Sequence, residues 1–482
     1  MKKRLVALLM FSLFLFMTAC STTEDIITPD TTGGVETSNT ETTTPPDDTD
    51  PDPKPVVAPK LTAQEFQNTI QYVEKCRDDK KLSYAAFAVG NRAGEFFHWT
   101  LEGTNDETLF DMASVTKAAV VTPLFLLAQQ EGLLHWSDTL DMHVNATGDK
   151  AKITLAHLLT HSSGISTTKV RTEVSDPSEA IDAILSRKLA YETGSKTLYS
   201  CSNFILLGHI LEQTYGKTLD VLFLEKIAPA LNMPNSGYKL FENTTNIAKH
   251  QKSKNRVNDG DAHFLGDVAG NAGLFSNIVD MASYATELSK GFPTLISPEL
   301  FQSALDNRIE NRCIGLSVLA DTNTVRGQLL LGGSYGHTGY TGQSVYADPE
   351  TGLWVVALTN TKYHSSELGS GFYTALAKDL LSYEVGIGLT EESGASSDPV
   401  TGAVTFEDNL TVSEVVSGSL ADGILQVGDI IVKVTVNGYR TNVKTQRDFV
   451  RKVVTVKEGD VVTLKIRRGT EEKTVDIPSN RE

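Results

Sequence analysis

The segment from Ala113 to Glu131 constrains the fold of this chain more strongly than any other. It is mostly apolar, contains no glycine and a single proline, Pro123, and is followed by Gly132, a residue that commonly closes helices. We therefore predict a largely buried helix over these residues. Ser114 lies at the start of this helix and Lys117 lies three residues later, so both side chains project from the same face.

The pairing of Ser114 with Lys117 suits a nucleophile and its proton carrier. Unpaired N–H groups and the positive dipole end at a helix start stabilise negative charge on an oxygen under attack. A lysine in so apolar a helix needs a reason, because a buried, unpaired ammonium is costly. The same Ser-x-x-Lys spacing occurs at Ser166 and Lys169, in a loop-like stretch with no buried helix behind it. A capping serine with an extended lysine is the structural alternative for Ser114 and Lys117.

Three segments resemble the motifs of one enzyme superfamily. FDMASVTK (110–117) resembles the active-site helix start of the serine β-lactamase and penicillin-binding protein superfamily, in its class C β-lactamase and esterase branch. LYSCSNFILLGHILEQTYG (198–216) resembles the segment of the Tyr-x-Asn motif. SYGHTGYTGQSVYADPETGLWVVALTN (334–360) resembles the Lys-Thr-Gly strand and is predicted to form two adjacent strands. The resemblance implies an α+β fold, with an antiparallel sheet flanked by helices and an all-helical subdomain.

The resemblance also implies roles for the matching residues. Ser114 is the nucleophile that forms an acyl-enzyme, and Lys117 and Tyr199 relay protons. A phenol of ordinary pKa is a poor base at pH 7, but a nearby ammonium favours the phenolate. The N–H groups of Ser114 and Tyr340 form the oxyanion hole. A core tyrosine at a loop-to-helix corner is the structural alternative for Tyr199.

The chain departs from the superfamily at two substrate-binding positions. Cys201 replaces the Asn or Asp of the Tyr-x-Asn motif and Asn203 follows two residues later, so either residue could orient the substrate amide. His337-Thr338-Gly339 replaces Lys-Thr-Gly, and Gly339 is expected to let substrate lie against the strand. A lysine there binds a carboxylate, whereas histidine is mostly neutral at pH 7. This disfavours β-lactam cleavage and favours esters or otherwise recognised amides; a structural histidine at a strand end is the alternative.

RVNDGDAHFLGDVAGNAGLFSNIVDMA (256–282) resembles a signature of a subset of this branch that includes muropeptide amidases and penicillin-binding-like proteins. That subset has histidine at the positions of Asn258 and Asn271, so the resemblance does not define one activity. Asp259 and Asn271 either line the cleft or shape its loops.

No pattern indicates a metal ion or another cofactor. The scattered cysteines after Cys20 show no CxxC spacing, and HExxH is absent. ITLAHLLTHSSGI (153–165) is similar to a helix and loop of the same branch, so we interpret His157 and His161 as structural histidines.

The amino terminus predicts export. Residues 1–20 combine a basic start, an apolar run too short to cross a bilayer, and an end, Met-Thr-Ala-Cys, that resembles a bacterial lipobox. We expect Cys20 to be lipidated and to anchor the protein to a membrane, on the periplasmic or extracellular face; a signal peptide cleaved elsewhere is the alternative. Residues 21–60 are rich in Thr, Pro and Asp and predict a disordered tether. Their nine acidic and two basic residues carry −7 of the net charge of −17; the remainder shows no basic patch and argues against nucleic acid.

The hydrolase-like domain is predicted over residues 61–384 and a second domain over 385–482. Short β-rich runs separated by Gly-Asp and Asn-Gly turns indicate a small, mostly β domain that resembles a PDZ domain of envelope proteases. Such domains bind a peptide or a protein C-terminus as an added strand. Gly386-Ile387-Gly388-Leu389 is the candidate for the carboxylate-binding loop, or else an ordinary first strand.

The sequence favours an enzyme that hydrolyses peptidoglycan fragments or other small esters and amides. A weak β-lactamase is a rival within the enzyme class. A non-catalytic protein that binds cell-wall peptides and recruits a partner through its PDZ domain is the rival outside it, motivated by Cys201 and His337. Against that rival, Ser114, Lys117 and Tyr199 occur together, which a binding protein does not require.

Overall fold

The structure is a computed structural model, and it describes residues 62–249, 256–320, 329–330, 332–360, 368–384, 387–397, 404–436, 439–442, 449 and 461–478. The predicted signal, the tether, Cys20 and Gly386 lie outside the described residues. Among the helices of the described ranges, none is both long and apolar enough to cross a membrane.

Most strands that precede residue 384 belong to one antiparallel sheet. In chain order they are β1 (Ala85–Asn91), β2 (Gly94–Thr100), β3 (Phe110–Asp111), β4 (Gly237–Tyr238), β5 (Leu274–Ser276), β6 (Arg312–Cys313), β7 (Leu316–Val318), β8 (Tyr335–Thr338), β9 (Ser344–Ala347) and β10 (Trp354–Thr359). Seven of them form the main sheet in the order β2-β1-β10-β9-β8-β7-β6, and β3, β5 and β4 form a small separate sheet. Every pair in the main sheet is antiparallel.

Helices cover both faces of the main sheet. They are α1 (Gln67–Asp78), α2 (Thr122–Gln130), α3 (Leu155–Leu159), α4 (Ala180–Ser186), α5 (Cys201–Tyr215), α6 (Leu219–Leu222), α7 (Gly260–Phe264), α8 (Ile278–Lys290), α9 (Pro298–Asp306) and α10 (Gly369–Glu384). Alternate strand residues face opposite sides: Phe87 packs in the core that holds α1 and α10, and Ala88 packs in the core that holds α2, α5 and α8. The predicted α+β architecture is therefore confirmed.

The predicted helix after Ser114 is present, with one irregularity. Val115 and Thr116 are helical, Lys117–Val121 forms a π-helical turn, and α2 continues to Gln130. Pro123 lies in the first turn of α2 and has no N–H to donate. In the π-helical turn, the N–H and the hydroxyl of Thr122 both donate to the carbonyl oxygen of Lys117, the hydroxyl at 2.9 Å. Such widened turns are frequent at functional sites.

The segment 334–360 contains three strands rather than the two that its sequence predicted. β9 and β10 are separated by a tight turn in which Asp348 accepts hydrogen bonds from the N–H groups of Glu350 and Thr351, at 2.9 and 3.0 Å. Gly352 completes the turn at φ +73°, a backbone conformation that suits glycine. Because a turn of this kind is local, the alternating pattern continues almost unbroken across it.

The residues after 386 form a second antiparallel sheet. Its strands are β11 (Ile387–Ser397), β12 (Val404–Val415), β13 (Ile430–Val436), β14 (Tyr439–Asn442), β15 (Val461–Arg468) and β16 (Glu471–Pro478). The order is β11-β12-β13-β15-β16, with β14 paired to β13. Ile387, Gly388 and Leu389 begin β11, and the register shifts between Gly388 and Leu389. The described part of the predicted carboxylate-binding loop is thus the start of an end strand.

Candidate active site

A carboxylate shapes the turn that precedes the candidate nucleophile. Asp111 accepts hydrogen bonds from the N–H groups of Ala113, at 2.8 Å, and Asn258, at 2.7 Å. Ala113 has φ +45°, which is uncommon for a residue with a side chain. Burial raises the pKa of Asp111 to about 6, against the effect of the two hydrogen bonds. This turn places Ser114 directly before the helix.

Two hydrogen-bond donors from distant parts of the chain meet at the hydroxyl oxygen of Ser114. The Lys117 ammonium donates to it at 3.0 Å, and the Tyr199 hydroxyl donates to it at 2.7 Å. Lys117 also donates to the backbone carbonyl of Asn271, at 2.6 Å. The structure therefore brings together the three residues that the sequence nominated as nucleophile and proton relay.

The Lys117 side chain is completely buried yet close to groups that can carry negative charge. Burial acts to lower its pKa, but the interactions of the ammonium with Cys201 and Tyr199 outweigh burial, so its pKa lies above the ordinary value. The sulfur of Cys201 is 3.9 Å from the ammonium nitrogen. Burial raises the pKa of the Cys201 thiol. Lys117 is therefore an ammonium at neutral pH and stabilises negative charge on nearby oxygen atoms.

The His161 ring packs against the Tyr199 ring. The two ring centres are 4.5 Å apart, and the Nδ1 atom of His161 accepts a hydrogen bond from the N–H of Ser200, at 3.2 Å. Burial, together with the charges of Arg312 and Lys117, holds the pKa of His161 well below its usual range. A neutral, buried histidine fits the structural role that its sequence context predicted, and it orients the tyrosine.

His157 is also structural. Its N–H and its ring nitrogen Nδ1 both bond to Thr154, which begins α3 with a capping box. These contacts cap the N-terminus of α3, the helix that the segment 153–165 predicted.

The end of β8 is joined to the nucleophile turn. A Cβ atom on Gly339 would lie 2.7 Å from the carbonyl oxygen of Met112, so only glycine allows this approach. The Thr341 hydroxyl donates to the carbonyl oxygen of Asp111, at 3.0 Å. Tyr340, between these two contacts, is therefore held next to the Ser114 turn. Gly339 thus serves the approach of two protein segments, in addition to any contact with substrate.

His337 provides no positive charge to the site. It is buried, and its Nδ1 atom lies 2.7 Å from the carbonyl oxygen of Thr338. Burial, together with the charges of Arg312 and Lys117, holds its pKa well below the usual range. Its Nε2 atom has no hydrogen-bond partner among the described residues. Thr338 is half-buried at the end of the strand, so the His337-Thr338-Gly339 motif offers hydrogen-bonding groups without a cation.

The structure distinguishes the two candidates for the second motif. Cys201 is half-buried beside Lys117, whereas Asn203 is completely buried. The Asn203 amide accepts from the Ser163 hydroxyl, at 2.8 Å, and lies 3.4 Å from Nδ1 of His161. The Asn203 side chain therefore belongs to the core, because the two residues from Cys201 to Asn203 turn it to the opposite side of the helix. This burial does not support the predicted contact of Asn203 with substrate.

Asp259 and Asn271 shape the wall behind Lys117. One carboxylate oxygen of Asp259 accepts from the N–H groups of Asp261 and Ala262, which begins α7, and from the Asn271 amide at 3.0 Å. Asn271 is completely buried. Of the two interpretations of these residues, the loop-shaping one describes Asp259, and Asn271 contributes its backbone carbonyl to Lys117.

Arg312 lies near the site although no sequence motif contains it. The guanidinium carbon of Arg312 lies 5.3 Å from the centre of the Tyr199 ring. Arg312 begins a two-residue strand and lies outside all the segments that resemble a family. The sequence therefore contains no motif that predicts its place near the site. The second Ser-x-x-Lys pair, in contrast, lies apart: the Ser166 hydroxyl bonds to that of Thr168, at 2.7 Å, and Lys169 is exposed.

Comparison with known proteins identifies the family of this chain. The sequence model of the Beta-lactamase family matches residues 70–378, and that of the PDZ domain matches residues 375–467. An Escherichia coli O157:H7 protein provisionally named D-alanyl-D-alanine carboxypeptidase is 29% identical over 304 residues, which cover 54% of this chain and 70% of that protein. An N-acetylmuramyl-L-alanine amidase of Bacillus subtilis (strain 168) is 27% identical over 307 residues, covering 53% and 68%.

Solved structures show the same fold. EstCE1, described as a hydrolase with promiscuous acyltransferase activity, superimposes with a TM-score of 0.55 at 18% identity, over 65% of this chain and 97% of that one. The octameric penicillin-binding protein homologue from Pyrococcus abyssi gives a TM-score of 0.53 at 16% identity, over 86% and 100%. The chain therefore belongs to the beta-lactamase family of serine hydrolases, followed in the same chain by a PDZ domain.

Proposed function

We propose that this protein hydrolyses peptides and amides derived from peptidoglycan, or small esters, through an acyl-enzyme on Ser114. The observation that carries the proposal is the Ser114 hydroxyl oxygen, which is held at 3.0 Å from the Lys117 ammonium and 2.7 Å from the Tyr199 hydroxyl. A serine contacted by both a buried ammonium and a phenol is activated for attack. Nothing in a purely structural role requires that arrangement.

The proposed reaction has two halves. Ser114 attacks the scissile carbonyl carbon and passes its hydroxyl proton to the Tyr199 oxygen, while Tyr199 gives its own phenol proton to the leaving group as the C–N or C–O bond of the tetrahedral intermediate breaks. Lys117 remains an ammonium and stabilises the negative charge that develops on the oxygens of Ser114 and Tyr199. Water then attacks the acyl carbon and gives a proton to the Tyr199 oxygen, while Tyr199 gives its phenol proton to the Ser114 oxygen as the acyl bond breaks, which releases Ser114 and the carboxylic acid product.

The N–H groups of Ser114 and Tyr340 are the proposed oxyanion donors. Within the described part of the chain, the Ser114 N–H donates no hydrogen bond, and the contacts of Gly339 and Thr341 hold Tyr340 beside it. Loss of one such donor typically costs about 3 kcal/mol of transition-state stabilisation.

The names of the relatives, the predicted lipid anchor and the PDZ domain support the proposed substrate class and location. The relatives named as a carboxypeptidase and an amidase, by those names, act on D-alanyl-D-alanine and on N-acetylmuramyl-L-alanine bonds. An exported lipoprotein anchored through Cys20 would meet such bonds in the cell wall. A tether of some forty flexible residues would typically reach about 30–40 Å. The PDZ domain, with β11 at the end of its sheet, would bind a peptide or protein C-terminus there.

Covalent labelling tests the proposal. The protein is incubated with a fluorophosphonate and, separately, with benzylpenicillin, and intact mass and peptide mapping locate the adduct. We expect a fluorophosphonate adduct on Ser114 that is absent from Ser114→Ala and retained in Ser166→Ala, the matched variant of the second Ser-x-x-Lys pair. If Ser114 stays unlabelled under all conditions, the proposed hydrolysis is contradicted and the non-catalytic binding protein becomes the better explanation. Turnover of benzylpenicillin, rather than a lasting adduct, would instead favour a β-lactamase.

A further inference from the structure

A pocket lies at the end of the small β3-β5-β4 sheet that is away from the Ser114 turn. In this sheet Asp111 pairs with Phe275 and Phe110 with Ser276, so Leu109 and Asn277 follow at the far end. A pocket of about 310 Å³ opens there, between these two residues and the segment 235–246. Its volume is at the lower end of the range for small-molecule pockets. None of its described lining residues belongs to the candidate active site.

Asn277 presents a fixed hydrogen-bond donor to this pocket. Its side chain is buried, with 2% of the residue exposed. The Oδ1 atom accepts from the N–H of Asp280 at the start of α8, at 2.9 Å. The Nδ2 atom bonds to none of the described residues, and it is not sealed in the core as Nε2 of His337 is. The helix cap therefore holds the amide in one orientation, with its nitrogen directed into the pocket.

Further hydrogen-bonding groups surround this donor. The Asn243 amide makes no hydrogen bond to the rest of the described structure. Asn235 donates from its amide nitrogen to Asp280, at 3.3 Å, and keeps its Oδ1 atom as an acceptor. The Thr244 hydroxyl accepts from the N–H of Asn246, at 3.1 Å, and retains its own proton to donate. The pocket thus offers several donors and acceptors from neutral side chains.

The charges around the pocket favour a neutral ligand. Among the described residues that line it, only Glu107 is charged. The carboxylate of Asp280 lies behind Asn235, where it accepts from the Asn235 N–H and from the Ser236 hydroxyl, both at 2.7 Å. An anion would be repelled by these two carboxylates. A hard metal cation takes six or more oxygen ligands, and Glu107 supplies a single carboxylate.

Two leucines, Leu109 and Leu240, give the pocket an apolar wall beside its amides. An acetamido group matches this combination, because its carbonyl oxygen accepts from an amide nitrogen and its methyl group packs on an apolar side chain. The volume suits one ring-sized group rather than the extended chain by which peptides are usually recognised. We propose that this pocket binds one neutral, N-acetylated sugar residue of a glycan, whose hydroxyls bond to Asn235, Asn243 and Thr244. The assignment does not depend on the proposed hydrolysis.

Isothermal titration calorimetry on the full-length protein tests the ligand class. The probes are N,N′,N″-triacetylchitotriose, cellotriose and acetyl-dialanine N-methylamide. Cellotriose has the same linkage between rings, with a hydroxyl in place of each acetamido group, and the third probe is a neutral peptide. We expect triacetylchitotriose to bind at least about tenfold more tightly than either of the others, because it alone combines acetamido groups with sugar hydroxyls.

Two substitutions test the location. Asn277→Ser removes the amide nitrogen but keeps an oxygen that caps α8, since serine and asparagine are comparable N-caps. Asn243→Ala removes an exposed amide to which no other described residue bonds. Each substitution should weaken the binding of triacetylchitotriose about three- to tenfold, as expected for the loss of one hydrogen bond. Asn307→Ala, at an exposed asparagine that ends α9, is the control and should bind as the unmodified protein does.

Other results overturn the assignment. Equal affinity for triacetylchitotriose and cellotriose would show that the acetamido group is not recognised, and tighter binding of the peptide probe would indicate a peptide site. No binding of triacetylchitotriose at millimolar concentrations also contradicts the proposal. If triacetylchitotriose binds but Asn243→Ala does not weaken it, the sugar occupies another part of the protein. Urea unfolding of Asn243→Ala should match that of Asn307→Ala, so that weaker binding reports the pocket rather than the fold.

Discussion

The backbone carbonyl oxygen of Asn271 accepts a 2.6 Å hydrogen bond from the buried ammonium of Lys117. This contact satisfies one donor of Lys117 on the side away from Ser114 and directs another to the serine hydroxyl at 3.0 Å. The position of the ammonium is therefore set by two segments that lie 154 residues apart in the chain.

Removing the charge of Lys117 should separate activity from stability. Lys117→Met roughly keeps the volume of the side chain, and we expect kcat/KM for p-nitrophenyl acetate to fall at least about 100-fold, because the stabilisation of negative charge beside Ser114 is lost. Because a buried ammonium carries a desolvation cost that an apolar side chain does not, we expect the free energy of unfolding to change much less than the activity. Ester hydrolysis and urea unfolding measure the two effects. Lys169→Met, the exposed lysine of the second pair, is the control, and equal losses in both variants would contradict the assignment.

A methyl group at Gly339 should displace the end of β8 from the nucleophile turn. In Gly339→Ala the added atom would lie 2.7 Å from both the Met112 carbonyl oxygen and the Gln343 side chain. Because a shift of about 1 Å at a catalytic site can cost about 100-fold, we expect kcat for p-nitrophenyl acetate to fall by about that factor. Gly237→Ala is the control, since its added atom would meet Leu240 at 3.6 Å, an ordinary contact. A Gly339→Ala protein with unchanged kcat would show that β8 is not coupled to Ser114.

The stability of the protein should depend on pH through Asp111. Its pKa is about 6 in the fold, above the ordinary value near 3.9 of an unfolded aspartate. Between about pH 4 and 6 the folded protein therefore holds a proton that the unfolded chain releases, and the free energy of unfolding falls as pH rises. Relative to Asp111→Asn, the unmodified protein should lose up to about 3 kcal/mol across this window. Urea unfolding at pH 4.5 and 7.5 checks this, and a difference that is independent of pH would contradict it.

Cys201 and Asn203 should respond differently to truncation. Asn203→Ala removes the acceptor of the Ser163 hydroxyl, and we expect a loss of about 1–3 kcal/mol in the free energy of unfolding. Cys201→Ala removes a thiol 3.9 Å from the Lys117 ammonium and should instead shift the pH profile of kcat/KM. Urea unfolding and pH–rate profiles of both variants provide the comparison. The assignment fails if Cys201→Ala has the larger effect on stability and no effect on the profile.

Much of the fold follows from local sequence. The helix after Ser114 was predictable because a long apolar run without glycine admits few other conformations, and the second β-sheet followed from its short strands and turns. The third strand in 334–360 was missed because Asp348 and Gly352 form a turn without interrupting the alternation. Tyr199 and His337 were predicted because the sequences around them resemble two motifs of the family.

The chain by itself determined which chemical groups are available: a serine and a lysine one helical turn apart, a tyrosine in a second motif, and a histidine where a lysine is usual. Tertiary structure decided which of them meet. Ser114, Tyr199, Asn271 and Arg312 come from four separate segments, and their distances depend on the packing of helices against the sheet. The same packing turned Asn203 into the core and placed Arg312 over Tyr199. Contacts between residues so far apart in sequence leave no periodicity or spacing in the chain, because they are created only when the sheet and its helices close around them.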